Sequence, residues 1–175
     1  MNLKLVRPAW EYAEQVMRYR EEMLAGNESF DGCAGLEDVS SFSEWIDFEN
    51  RLKQNYGEGY VPSEVFLGVR ISDGKVVGII DYRHPLSPFL LKYGGNIGYS
   101  VLPSERRKGY ANEMLGLLLP VCREYGEEKV LLTCDADNDA SRRTITHNGG
   151  ILENEIADDV GLSKCGVIQR YWITL

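Results

Sequence analysis

The chain has 175 residues, enough for one domain with a sizeable core. With 27 acidic against 19 basic residues it carries a formal charge of −8, which argues against a general nucleic-acid binder, because such a protein needs a basic face. No apolar run is long enough to span a bilayer, and the opening "MNLKLVRPAW" lacks the apolar stretch of a signal peptide, so a cytoplasmic protein is expected, with no nucleic acid and no membrane among its partners.

From the N-terminus, "LKLVRP" alternates as a strand does and stops at Pro8. Ala13, Val16, Met17, Met23 and Leu24 predict an amphipathic helix over 9–25. The turn-rich segment 26–40 reads as a loop, at a pocket mouth or simply on the surface. Trp45, Phe48 and Leu52 then place a second helix over 41–55, and residues 26–56 are expected to shape an acceptor pocket. Two apolar runs, 64–71 and 75–84, flank Ser72-Asp73-Gly74 and predict a hairpin. Prolines and glycines make 84–95 a loop, and 96–102 is a further strand ending at Pro103. Ala111, Met114, Leu115, Leu118, Cys122 and Tyr125 form a helical stripe after Gly109, in which Pro120 predicts a kink near Gly116. A strand over 128–136, a short helix over 138–148 closed by Gly149-Gly150, and strands over 150–157 and 166–175 complete the chain. The expected class is α/β (α+β), one domain over 1–175, with hairpins at both ends and a crossover helix between the fourth and fifth strands.

Cysteines 33, 122, 134 and 165 include no CxxC pair and no Cys/His set at zinc spacing, so reduced thiols are expected. Asp135, Asp137 and Asp139 open like a calcium loop, but Ala140 and Thr146 stand where Gly and Glu are needed, so no metal is expected. Glu44, Asp47 and Glu49 on the second helix are either a solvated face or a lure for an amine.

The segment "RRKGYA" stands apart on an acidic chain. A strand, a tight loop and a helix start together make an anion site, since the first helical N–H groups have no internal partner and the dipole favours negative charge. Gly109 and Ala111 let a ligand approach the backbone, and Arg106, Arg107 and Lys108 add charge for phosphate oxygens. A Walker A pattern and a three-glycine dinucleotide fingerprint are both absent. Spacing alone leaves a phosphate site and a solvated basic turn equally open.

Val101 five positions before Arg106, then Arg106-x-x-Gly109-x-Ala111 and an amphipathic helix, resembles the acetyl-CoA-binding motif of the GNAT superfamily of N-acyltransferases. Asn138, Ser141 and Gly149 echo that family's N-x-x-[AS]…G pattern, and the order of elements matches its fold over nearly the whole chain. The resemblance implies a mixed, largely antiparallel sheet of about seven strands flanked by about four helices. It implies acetyl-CoA as co-substrate, with the backbone of Tyr99, Ser100, Val101 and Leu102 pairing with the pantetheine arm. The amides of Arg107, Lys108, Gly109, Tyr110 and Ala111 would hold the pyrophosphate, and Asn138 would sit beside the arm where the fourth and fifth strands splay.

Acetyl transfer to an amine needs a neutral nucleophile, a donor for the oxyanion and a proton for the thiolate. In the family, a backbone N–H near Tyr99 or Ser100 is the usual oxyanion donor. The family's common acid, a Tyr seven positions after the Asn, is replaced here by Ile145. Ser141 is the substitute candidate, by resemblance to the branch that acetylates protein N-termini, although a capping or packing role suits it equally. For the base, Asn96 stands on the fourth strand where a Glu is often found, and cannot take a proton. His84, in the loop after the third strand, is a candidate because histidine is the residue type suited to base work near neutral pH, and a water relay would also serve. The expected activity is acetyl-CoA-dependent N-acetyl transfer by direct attack of a small-molecule or peptide amine, with homodimerisation left open. The alternatives are a non-catalytic acyl-CoA sensor or interaction module and, against the acidic charge, an acetyltransferase of charged tRNA.

Overall fold

Alternation along two central strands decides the layering. A computed structural model describes residues 2–54 and 60–175, so Asn55 and Tyr56 of the expected second helix and pocket segment lie outside the described residues. The chain runs β1 (Leu3–Val6), α1 (Ala13–Ala25), α2 (Phe42–Lys53), β2 (Ser63–Arg70), β3 (Val76–Arg83), β4 (Ile97–Val101), α3 (Tyr110–Glu124), β5 (Lys129–Asp135), α4 (Asp139–His147), β6 (Ile151–Ala157) and β7 (Val167–Thr174). β1 to β4 form one antiparallel sheet in chain order, and β5, β7 and β6 form a second in that order. The mixed, largely antiparallel seven-stranded class expected from the sequence is therefore observed, as two sheets rather than one continuous ladder.

Val65, Leu67, Val69 and Ile79 face a core shared with Val16, Tyr19, Met23 and Trp45 of α1 and α2. Phe66, Val77, Ile80 and Tyr82 face the opposite core, shared with Met114, Leu115 and Leu118 of α3. Each fully buried apolar side chain of this kind contributes about 1.5–3 kcal/mol. The seat of α3 is set by a glycine pair: Gly68 and Gly78 are cross-strand partners, and a Cβ on either would lie 2.5–2.6 Å from Met114. The helix therefore lies closer to the sheet than side chains there would permit.

α3 continues through Pro120 without a break; Pro120 and Gly116 both face solvent, where the carbonyl that loses its partner can turn to water. One expectation is revised. The stretch read as loop contains one wide helical turn, Leu90–Gly94, started by Ser87 Oγ accepting the Leu90 N–H (3.2 Å) and closed by the Gly95 N–H on the Leu90 carbonyl (2.7 Å). Among the described residues no helix is long and apolar enough to cross a membrane.

β4 and β5 meet at one point. The Asn96 N–H donates to the Leu131 carbonyl (2.7 Å), the Leu131 N–H donates to Asn96 Oδ1 (2.8 Å), and Asn96 Nδ2 donates to the Arg83 carbonyl (3.0 Å). Gly95 permits this approach, since its φ is +69° and a Cβ there would lie 2.5 Å from the Leu131 carbonyl oxygen. Asn96, only 3% exposed, is thus a clasp between the sheets. Replacing Asn96 with Ala leaves a buried N–H and a buried carbonyl without partners. Urea unfolding is expected to show a loss of about 2–5 kcal/mol, and a loss under 1 kcal/mol would contradict the clasp.

Candidate active site

The chain leaving β4 builds an anion-binding end. It makes one turn at Pro103–Glu105, and the buried Glu105 carboxylate gathers three cations: Arg70 Nη1 (2.7 Å), Lys75 Nζ (2.6 Å) and Lys108 Nζ (2.7 Å). Hydrogen bonds from Lys108 and then Lys75 hold its carboxyl down, from the ordinary 4.5 to about 2. Arg107 and Gly109 next adopt left-handed backbone, φ +61° and +83°. A Cβ on Gly109 would meet nothing within 4 Å, so glycine serves the turn and keeps the space before the helix open. The first bond inside α3 runs from the Glu113 N–H to the Gly109 carbonyl (3.0 Å). The amides of Tyr110, Ala111 and Asn112 lie ahead of it as donors for an anion.

The three basic side chains differ in what they can still bind. Arg106 pairs with Glu28 (2.7 Å) and donates from Nε to the Val101 carbonyl (3.2 Å), while Lys108 is held by Glu105. Among the described residues Arg107 has no acidic partner. The side chain of Tyr110 is buried and its hydroxyl accepts from Arg70 (3.2 Å), so only its amide faces the loop.

Beyond Asn96 the gap between β4 and β5 leaves one β4 edge open. The Leu102 N–H donates to the Val77 carbonyl (3.0 Å), so alternation turns Leu102 and Ser100 toward β3 and turns the backbone of Tyr99 and Val101 toward the gap. Of the four residues expected to pair with a ligand, the open edge belongs to Tyr99 and Val101. The Ser100 side chain is buried on the α1 side, where its Oγ accepts from Tyr19 Oη (2.9 Å) and lies 3.1 Å from Cys33 Sγ.

Across the gap, Asn138 caps α4 by accepting the Ser141 N–H (3.0 Å). That bond fixes the first turn and directs Ser141 Oγ to Tyr99 Oη, 2.8 Å away. Burial pushes the Tyr99 phenol up, partly offset by this hydrogen bond, so the pair is neutral at physiological pH. Cys134 lies on β5 beside Ser141, and burial raises its thiol to about 11. Ile145 is wholly buried against the α3 side of the sheet, where an apolar side chain is required.

His84 sits elsewhere. Its ring stacks on Tyr82 and packs against Tyr125, both at 4.7 Å, at the end of α3 opposite Gly109. It is four residues beyond Ile80, the cross-strand partner of Tyr99, or roughly 13 Å by strand rise. The structure thus brings together Tyr99, Asn138, Ser141 and Cys134, but not His84. Of the acidic residues on α2, Glu44 accepts the Ser40 N–H (2.8 Å) and Glu49 is buried against Lys53 (2.7 Å), so both serve the fold.

The sequence reading missed the Tyr99 hydroxyl, the Glu105 clamp and the clasp role of Asn96. An alternating strand pattern places Tyr99 toward the core, but the partners of the other two come from distant segments.

Residues 5–151 match the family model described as the Acetyltransferase (GNAT) domain. Comparison with curated proteins gives no match. Among solved structures, Mycobacterium smegmatis RimJ in complex with CoA-disulfide is 18% identical with a TM-score of 0.73, covering 99% of this chain and 86% of that one. The microcin C7 self-immunity acetyltransferase MccE, in complex with acetyl-CoA and AMP, is 18% identical with a TM-score of 0.70, over 99% and 93% of the two chains. A Salmonella typhimurium acetyltransferase that modifies the N-terminal serine of ribosomal protein L7/L12 is 16% identical with a TM-score of 0.69, over 100% and 96%. At these identities the likeness is one of fold.

The Glu105 clamp has a pH signature. A carboxyl depressed in the folded state stabilises it fully above the unfolded value of 4.5, and this stabilisation is lost as pH falls through about 2. The stability difference between wild type and Glu105→Gln is expected to be present at pH 6, to shrink below pH 4.5 and to vanish near pH 2. Chemical denaturation across that range checks it, and a pH-independent difference would contradict it.

Proposed function

This chain belongs to the GNAT acetyltransferases, and from that premise we propose that it moves an acetyl group from acetyl-CoA to a primary amine by direct attack in a ternary complex. One observation carries the reading: an open strand edge at Tyr99 and Val101 runs from the start of α3 to a half-buried Tyr99–Ser141 hydroxyl pair. Acetyl-CoA supplies the acetyl group as an activated thioester. The residues fit it, because the amides of Tyr110, Ala111 and Asn112 and the exposed Arg107 suit a pyrophosphate, and the open edge suits the amides of a pantetheine arm. We read residues 1–175 as one domain for this task, since β2 and β3 are common to both cores.

In this reading the Tyr99 N–H donates to the carbonyl oxygen on which negative charge develops, a contribution of about 3 kcal/mol. The amine, having lost its proton to water, forms the new C–N bond as the C–S bond breaks. Ser141 Oγ–H gives its proton to the departing thiolate, the Tyr99 hydroxyl replaces it, and the proton shed by the newly acylated nitrogen returns through water to the Tyr99 oxygen. Asn138 holds Ser141 in place through the helix cap. Direct attack is supported by Cys134, whose buried neutral thiol is a poor nucleophile at physiological pH. A cytoplasmic setting suits both the cofactor and the reduced cysteines.

Calorimetric titration with acetyl-CoA, with ATP and NAD as controls, tests the cofactor. Selective binding is expected, and Gly109→Glu is expected to abolish it by placing a carboxylate in the anion site. Release of CoA thiol in a screen of small amines and peptides tests the reaction. Ser141→Ala is expected to lower kcat by roughly 10²-fold or more with little change in acetyl-CoA affinity. Binding without turnover of any amine would leave a sensor of acyl-CoA instead.

A further inference from the structure

The loop over 26–36 packs its backbone against β4 beside the open edge and carries Asp31 next to that contact. Gly32 has φ +78°, and a Cβ on it would lie 2.3 Å from the Gly98 carbonyl oxygen and 2.9 Å from Tyr99 Cα. The loop backbone therefore rests on the Gly98–Tyr99 peptide, the one that presents the Tyr99 N–H to the gap. Asp31 immediately precedes Gly32. Its carboxylate is exposed and accepts a hydrogen bond from Ser29 Oγ (2.6 Å), and its charge acts on Tyr99, Cys33 and Arg83.

The neighbouring charges of β3 on this face are already engaged. Asp81 holds Arg83 through two hydrogen bonds (2.8 and 3.0 Å) and accepts the Gly98 N–H on Oδ1 (2.9 Å). Among the described residues Asp31 has no cationic partner within ion-pair distance. The Asp81–Arg83 pair cancels, and Glu37, whose charge also acts on Cys33, is half-buried and faces the opposite charge of Arg20, so Asp31 is the exposed carboxylate whose charge reaches Tyr99. The same loop is tied to the anion site, because Glu28 pairs with Arg106 (2.7 Å).

We propose that Asp31 is the acceptor-binding carboxylate, which receives the ammonium of a cationic amine beside β4 and directs its nitrogen toward the Tyr99 amide. This rests on the acetyl-transfer reading above. A primary amine is protonated near neutral pH, so it reaches the protein as a cation, and one carboxylate beside the reacting edge both attracts and orients it. The acidic balance of the chain favours the same class of ligand.

The test titrates the CoA-saturated protein by calorimetry with butane-1,4-diamine and with a serine-initiated tetrapeptide amide, and follows acetyl transfer to each. Asp31→Asn is expected to weaken amine binding and raise KM roughly ten- to a hundred-fold, with kcat within about threefold, acetyl-CoA affinity unchanged and Tm unchanged. Asp31→Glu is expected to restore most of the loss. Amine affinity and KM within twofold of wild type in Asp31→Asn would overturn the proposal, and so would wild-type protein that binds neither amine. Asp31-dependent amine binding without any transfer would retain the proposal and remove the acetyl-transfer reading instead.

Discussion

The contact between Asn96 and Leu131 is the constraint on which the rest of the structure depends. Two antiparallel sheets abut there through two hydrogen bonds, one from the Asn96 backbone and one to its side chain, while the side-chain amide also ties β4 to the Arg83 carbonyl of β3. Past that point the strands diverge, so the β4 edge keeps its backbone groups for something other than β5. An Asp or Glu at position 96 could not supply the N–H that the Arg83 carbonyl accepts, which explains why this strand does not carry a carboxylate there.

The acidic chain and its basic segment are reconciled by local pairing. Glu105, Glu28 and Asp73 neutralise much of the charge of Arg70, Lys75, Arg106 and Lys108, so the turn before α3 is not a diffuse cationic patch. What remains is directional: a row of amides at the start of a 15-residue helix, with Arg107 beside them. Directional donors select a compact anion such as a pyrophosphate over a long polyanion, which agrees with the negative charge of the whole molecule.

On the far side of β4, polar groups are buried in pairs rather than exposed. Tyr19, Ser100 and Cys33 form a closed hydrogen-bonded set, and burial is the main cause of the raised Cys33 thiol and Tyr19 phenol. Such a set ties the strand from behind to α1 and to the loop that carries Cys33. The Tyr99–Ser141 pair does the same across the gap, joining β4 to α4 where no ladder connects them.

The strand and helix order, the Asp-Gly hairpin, the helix ending at Gly149 and the anion-site spacing from Val101 to Ala111 were all determined by the sequence alone. Each depends on short-range physics: period-2 or period-3.6 alternation, left-handed φ at glycine, and unpaired amides at a helix start. Tertiary structure decided the rest. Whether a carboxylate is solvated, as at Asp31, or buried among cations, as at Glu105, depends on segments far away in the chain: two of the three cations on Glu105, Arg70 and Lys75, are 30 or more residues distant. The same holds for His84, which a loop position made a candidate base and which packing made part of an aromatic stack. Local pattern fixes what each element is, whereas burial and partner choice are properties of the assembled fold.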